Sequence, residues 1–463
     1  MGFRIREIEA ESKFASELSL QAISQAIPAA DIEAVLVEHD AMEQRERKLN
    51  AFATVLLVVA MNIFTHLSIA HVLKKIAQGL RFVYADPEYE VAGKAAISYR
   101  RYQLGARPLV GLFHRICRPL TTSDTPGAYL FGRRLMAIDG TTEDVPDTPE
   151  NVAVFGRWHS DRGTTAFPQV RAVYLAECGT HAIVDAGFWP IHTSERKGAF
   201  RMLRSVEPGM LLMLDAGLYE YDIVQAIIQR ESDVLARLPS HVRAKPVHSL
   251  DDGSYLARIR PSDYPRRSRG EHLLVRVIEY TFDDPARTGH GERHRLVTTL
   301  LDPKECPALD LICAYHERWE IEIAIDEIDT HQRLLDRPLR SQKPVGVIQE
   351  LYGLLIAHYA IRLLMHEAAL QAGVDPDRIS FVHALRVLQD AVPEFEMTAP
   401  EQLRRLYTRL LNDIASELLP ARRNRINPRV VKRKVSKFKV KCPEHYHSPQ
   451  PACSFREAVT LAI

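Results

Sequence analysis

At 463 residues, 46% hydrophobic and 26% charged, the chain is ordinary in composition and long enough for about two or three domains with sizeable cores. Its 60 Lys and Arg nearly balance 59 Asp and Glu, so a net charge of +1 makes no global case for nucleic acid, and any such case rests on local patches. Six cysteines (117, 178, 306, 313, 442 and 453) lack CxxC spacing and read as free thiols of a reducing cytoplasm; the start lacks an apolar signal core, and apolar 51–64 is too short to span a membrane.

Residues 1–48 are mixed helical sequence with many acids. Two packed helices are predicted at 51–64 and 68–79. After Lys94, a Ser (Ser98) leads a basic helix that carries Arg100 and Arg101 and stops at Gly105, with Arg107 beyond it. That pattern suits either a solvated surface helix or a DNA-recognition helix. A short apolar strand follows from Arg133 and is predicted to end in Asp139-Gly140-Thr141. A hairpin is expected over 168–188 and a helix over 194–203. A second buried strand then ends in Asp215, with Gly217 just after it, and a helix over 221–230 leads to a strand at 234–238.

A β-rich insertion is predicted at about 240–305, with strands at 255–259, 273–282 and 295–301. Its loop carries Arg258, Arg260, Arg266, Arg267 and Arg269 around Tyr264 and could grip a phosphate backbone. From Tyr315 to Asp329 there is no Gly or Pro, and Ile321, Ala324, Ile325 and Ile328 recur at helical spacing, so one helix is predicted. Tyr315, Arg318, Glu322 and Asp329 would share one face of it, and Glu320, on the other face, is a poorer candidate. A carboxylate beside a fixed Arg suits a place where a cation and a phosphate meet; by spacing alone, a solvated charge-laced helix fits equally well.

After Leu339-Arg340-Ser-Gln-Lys343-Pro, a long apolar helix is expected over 345–372 and further helices over 377–417. Residues 421–441 hold ten Lys or Arg and no acid, Lys432, Arg433 and Lys434 among them, a composition that neutralises phosphates without reading sequence. Cys442, His445, His447 and Cys453 match no common zinc finger and are read as an irregular tail.

The order strand-Asp, hairpin, helix, strand-Asp, helix, strand and later a Glu-bearing helix is that of a ribonuclease-H-like sheet. The fold class expected is therefore α/β: a ribonuclease-H-like catalytic core interrupted by the β-rich insertion, with α-helical N- and C-terminal regions. Tyr315-x2-Arg318-Trp319-x-Ile321-Glu322 resembles the signature helix of the insertion-sequence-four family of bacterial DDE transposases. Asp139-Gly-Thr and Leu214-Asp215-x-Gly217 resemble that family's first two catalytic acids, and residues 47–119 resemble its N-terminal domain. Asp329 is a departure, standing where the family has Lys.

The resemblance implies a helical DNA-binding domain at 1–128, the core at 129–335, a helical region at 336–420 and a basic tail at 421–463. It implies Asp139, Asp215 and Glu322 as catalytic residues holding two Mg²⁺ ions, with Mn²⁺ as a substitute. It implies DNA contacts at Tyr315, Arg318, Lys94, Arg100, Arg101, Arg107, Arg340 and Lys343, to which the basic loop adds Arg266 and Arg267 and the basic tail Lys432, Arg433 and Lys434. The partners implied are double-stranded terminal repeats and target DNA, bound by a homodimer on paired ends in the nucleoid region of a bacterial cytoplasm, with no membrane. The chemistry implied is cut-and-paste cleavage and strand transfer through hairpin ends. A transposase-derived DNA-binding protein without catalysis and a metal-dependent nuclease of the same fold are the alternatives.

Overall fold

The computed structural model describes residues 20–43, 49–77, 92–160, 163–287, 289–333, 337–419 and 451–462, with Arg4 and the backbone of 430–431 and 439–440. Lys432, Arg433, Lys434, Cys442, His445 and His447 lie outside the described residues. Helices α1 (Ala29–Glu38), α2 (Ala51–Ile63), α3 (Ile69–Ile76), α4 (Lys94–Leu104) and α5 (Arg107–Ile116) come first. Next are β1 (Tyr129–Leu130), β2 (Arg133–Asp144), α6 (Pro149–Phe155), β3 (His159–Ser160), β4 (Gly163–Thr164), β5 (Gln169–Glu177), β6 (Ile183–Pro190) and α7 (Glu195–Met202). The middle of the chain forms β7 (Met210–Leu214), α8 (Tyr221–Ile228), β8 (Asp233–Arg237), β9 (Pro246–Ser249), β10 (Tyr255–Ile259), α9 (Tyr264–Ser268), β11 (Leu273–Phe282) and β12 (His294–Thr298). Then follow α10 (Ala308–His316), α11 (Trp319–Asp326), α12 (Pro344–Ala372), α13 (Phe381–Met397), α14 (Pro400–Ala415) and β13 (Val459–Leu461).

The chain forms two compact units, each built from separated stretches. The first comprises Met1–Ala128, Ile138–Ser205 and Glu320–Leu419. The N-terminal and C-terminal helices therefore belong to one unit. The reason lies in α2, which is apolar all round and must be covered on every side. It crosses α12 at Gly353, where a Cβ would come within 2.8 Å of the Val58 carbonyl oxygen. Asn62, buried at the crossing, donates to the Val58 and Glu350 carbonyls (2.8 and 3.2 Å), so its burial leaves the amide satisfied. Helix α12 is long and apolar enough to cross a membrane, but most of it is buried inside the protein. In the same unit the antiparallel β5–β6 hairpin lies next to β2, and α7 packs closely on β5 through Gly198.

The second unit comprises Tyr129–Ala137, Val206–Trp319 and Pro420–Ile463. The first part of β2 pairs in parallel with β7, from Arg134 opposite Met210 to Ala137 opposite Met213, and β7 pairs in parallel with β8. Strand β7, Met-Leu-Leu-Met-Leu, is buried along its whole length, as a central parallel strand covered on both faces requires. The insertion extends this sheet: β12 pairs antiparallel with β8, then β11, β10 and β9 follow in order. Strands β10 and β11 have the bounds predicted. Residues 459–461, in the stretch expected as a basic tail, form β13 along the end of β11.

Candidate active site

In the first unit Asp139 lies midway along β2. The strand was expected to stop at Asp139 but continues to Asp144, because the β-branched Thr141 and Thr142 sustain extended backbone. The Asp139 carboxylate accepts from the Gly140 amide (2.8 Å). A side chain at Gly140 would collide with the carboxylate of Glu195, so Gly140 admits an acid from the first turn of α7 beside the Asp139 strand. Nothing in the spacing of the sequence singled out Glu195.

Glu322 stands half-buried in α11. The single helix predicted from Tyr315 to Asp329 is in fact three pieces. Helix α10 closes with i to i+3 bonds at Glu317 and Arg318 (2.9 and 3.2 Å), α11 follows, and residues Glu327–Gln332 form a π-helical turn. The wider turn moves Asp329 off the phase, relative to Glu322, expected of an uninterrupted α-helix. Asp329 is buried, accepts from Thr141 Oγ1 (3.3 Å) through one oxygen, and has no hydrogen-bond partner for Oδ1 among the described residues. Burial pushes its pKa up to about 7 against the hydrogen bond from Thr141, with Asp326 adding to the rise.

The hidden face of α11 and the π turn explains this geometry. Glu320 and Glu327 both reach the ring of His181, Glu320 at Nε2 (2.6 Å) and Glu327 at Nδ1 (3.3 Å). Arg362 of α12 closes on Glu327 and His181, and His358 adds a contact to Glu327 (3.2 Å). Burial and Arg362 oppose a charge on His181, but Glu327 and the hydrogen bonds to both acids outweigh them and push its pKa up to about 9. Burial would raise Glu327, yet Arg362 and His181 hold it well below the usual carboxylate range. Donor atoms of His181, Glu320 and Asp377 lie within 4.8 Å of one another, a spacing a cation could share. The 2.6 Å approach of His181 to Glu320, with Arg362 alongside, is instead that of a salt-linked network. Glu320, the poorer candidate by helical phase, is thus an anchor of the helix that presents Glu322.

In the second unit Asp215 directly follows β7, and its Oδ1 accepts from the Leu218 amide (2.7 Å), fixing the turn. Gly217 keeps open the space around that carboxylate, since a Cβ there would touch both oxygens at 3.3 Å. The Tyr315 hydroxyl donates to the carbonyl of Leu214 (3.2 Å), the residue before Asp215. Arg318 lies with its guanidinium 5.9 Å from the centre of the Tyr315 ring. Burial raises the Tyr315 phenol, the Arg318 charge lowers it and the Asp215 charge raises it. Asp215, Tyr315 and Arg318 are therefore close neighbours although a hundred residues separate the first from the others.

The sequence-predicted DNA contacts divide. Lys94 and Arg107 are exposed, as is Lys343, whose ammonium lies 5.3 Å from the Tyr102 ring centre. Arg267 is exposed over Tyr264 (5.6 Å). Arg266 is instead held by Asp222, Gln225 and Glu271. Arg100 pairs with Glu43 and donates to the Leu49 carbonyl (2.9 Å). Arg101 is buried, donating to Ser341, Gly346 and Gln349, and Arg340 donates to the carbonyls of Met61 and Leu67. Arg101 and Arg340 thus tie helices together, a role that the i, i+1 basic pattern does not distinguish from a DNA contact.

Comparison with known proteins gives the family of the chain. Residues 17–114 match the family described as insertion element 4 transposase N-terminal, and residues 130–359 match the transposase DDE domain. The chain is 27% identical over 354 residues to the transposase InsG for insertion sequence element IS4 of Escherichia coli (strain K12), covering 74% of this chain and 77% of that protein. It is 28% identical over 144 residues to the putative transposase InsZ of the same organism, covering 30% of this chain and 46% of that one. Among solved structures, the piggyBac transposase synaptic complex with hairpin DNA aligns over 92% of this chain and 90% of its own, with 12% identity and a TM-score of 0.39. From the two family matches and the relative spanning three quarters of its length, this chain belongs to the insertion-sequence-four family of DDE transposases.

Proposed function

We propose that the chain cleaves and rejoins DNA at the ends of its insertion sequence, using Asp139, Asp215 and Glu322 as its acidic triad on a ribonuclease-H-like core. The observation that carries this reading is the strand register. Ala137 of β2 is paired with Met213 of β7, so Asp139 and Asp215 each come two residues after a registered pair on adjacent parallel strands. The order β6-β5-β2-β7-β8 with parallel β2, β7 and β8 supports the ribonuclease-H-like reading.

The donor set fits a hard divalent cation. All three residues offer carboxylate oxygens, all three are half-buried rather than sealed, and none is replaced by a soft ligand. Asp139, Asp215 and Glu322 would hold a Mg²⁺ pair, for which Mn²⁺ could substitute; when bound it supplies an activated water and relief of charge at the phosphorus. The other groups position the substrate. Arg318, steadied by Tyr315 beside Asp215, would grip a phosphate oxygen, and the His181–Glu320–Glu327–Arg362 network would keep Glu322 from swinging away. The partners are double-stranded element ends and target DNA, met by a homodimer in the bacterial cytoplasm. The reaction is cut-and-paste, through hairpin ends.

The test uses purified protein, Mg²⁺ and labelled DNA spanning the flanks of the gene, with Glu322→Gln alongside. Wild type should release ends or hairpins, while the variant binds the same DNA without cutting. If both bind and neither cuts, in Mg²⁺ or Mn²⁺, the chain is a DNA-binding remnant and the catalytic reading is wrong.

A further inference from the structure

We infer that the face formed by Trp158, His159 and His192, with the exposed side of α7, is a binding surface for unpaired DNA bases. The inference deepens the proposed function and rests on DNA being the partner. Trp158 is 47% exposed, and His159 and His192 are exposed as well. The rings of His159 and His192 are parallel within 6° with centroids 6.5 Å apart, and Trp158 lies at 28° and 6.2 Å to His192. Three exposed aromatic residues, two with parallel rings and the third tilted by 28°, form a platform on which a flat, aromatic ligand can stack.

The platform is braced rather than loose. The Thr165 amide donates to the Trp158 carbonyl (3.0 Å), and the His159 ring hydrogen-bonds to Thr164 Oγ1 (2.7 Å). Arg157 donates to the Thr165 carbonyl (2.9 Å) and pairs with Asp147. Gly156, at φ +75°, is left-handed backbone, and a Cβ there would meet His192 Nε2 at 3.3 Å. The glycine thus leaves room for the His192 ring.

Charge selects the ligand. Helix α7 begins three residues after His192 and buries Gly198, Ala199 and Met202. Its opposite side exposes Arg196, Lys197, Phe200 and Arg201, with Phe200 49% exposed and Lys197 and Arg201 one turn apart. Basic side chains interleaved with aromatic rings match a single strand, whose phosphates meet the cations while its bases stack. The acid of this stretch, Glu195, is turned towards Gly140, next to Asp139.

The experiment measures binding by the full-length protein, without metal, of an oligo(dT) strand about 12 nucleotides long and of a blunt duplex of similar length. Wild type should bind oligo(dT) with quenching of tryptophan fluorescence. Trp158→Ala should weaken that binding about tenfold and leave the duplex within about twofold. Lys197→Ala combined with Arg201→Ala should reduce the slope of log affinity for oligo(dT) against log salt by ~1.4. An unchanged unfolding midpoint shows that the exposed substitutions preserve the fold, and His192→Ala serves as a second test of the platform. The inference is overturned if wild type does not bind oligo(dT), if Trp158→Ala binds it as wild type does, or if strand and duplex weaken equally. No cleavage enters these readouts, so failure of the catalytic proposal and failure of this one are separable.

Discussion

Asp329→Asn offers a test of how the buried end of the Glu322 helix is held. Asp329 has an ordinary value of 3.8 and a folded value of about 7, and one of its oxygens lacks a hydrogen-bond partner among the described residues. The folded state therefore keeps a proton that the unfolded chain has released. Stability from this group is greatest below pH about 4, falls as pH rises, and levels off above about 7. At about 1.36 kcal/mol per pKa unit, the full span costs the wild type about 4 kcal/mol, of which about 3 kcal/mol falls between pH 5 and 8. Asparagine, of the same shape and without the charge, removes that dependence. Urea unfolding of both proteins at pH 5 and pH 8 should show the variant gaining about 3 kcal/mol on wild type at the higher pH. Thr141→Val, which removes the hydrogen bond that favours the ionised form, should extend the decline to higher pH. Parallel curves for wild type and Asp329→Asn would refute the reasoning, since they would mean that Asp329 ionises inside the protein as readily as in water.

The His181 network gives a second outcome: Arg362→Met strands the buried Glu327 charge and should cost about 3–5 kcal/mol in urea unfolding, part of which Glu327→Gln in the same chain restores. Because His181 is raised to about 9, its contribution should be fully present below about pH 6.5 and be lost as pH rises through 9, and its imidazole NMR shifts should remain those of the charged ring at pH 7.5. Third, Arg101→Ala should lower stability by roughly 2–3 kcal/mol through the loss of its buried hydrogen bonds, whereas exposed Lys94→Ala should change it by less than about 0.5 kcal/mol.

Local pattern alone located β10, β11, α12 and the buried strand before Asp215, because period-2 alternation and unbroken apolar runs are strong signals of burial. It also drew attention to Asp139, Asp215 and Glu322, since each acid sits next to such a run. The break between α10 and α11 was invisible in the sequence, which has no Gly or Pro from Tyr315 to Asp329. The π turn was hidden for the same reason: long-range bonds from Glu320 and Glu327 to His181 and Arg362 override local helical preference. The basic residues misled in another way. Lys94 and Arg101 look alike in a helix, but one faces water and the other lies in a cage of Ser341, Gly346 and Gln349, more than two hundred residues away.

The sequence by itself determined the order of elements, the acids that border them and the family resemblance, because these depend on residue type and spacing along the chain. Tertiary structure alone decided that the N- and C-terminal helices form one unit, that the insertion continues the sheet through β8 and β12, and that Glu195 comes up against Gly140. It also decided which arginines are structural and which acid has its pKa raised by burial. Those outcomes depend on which groups lose water and which charges meet, and both are set by contacts between residues far apart in the chain.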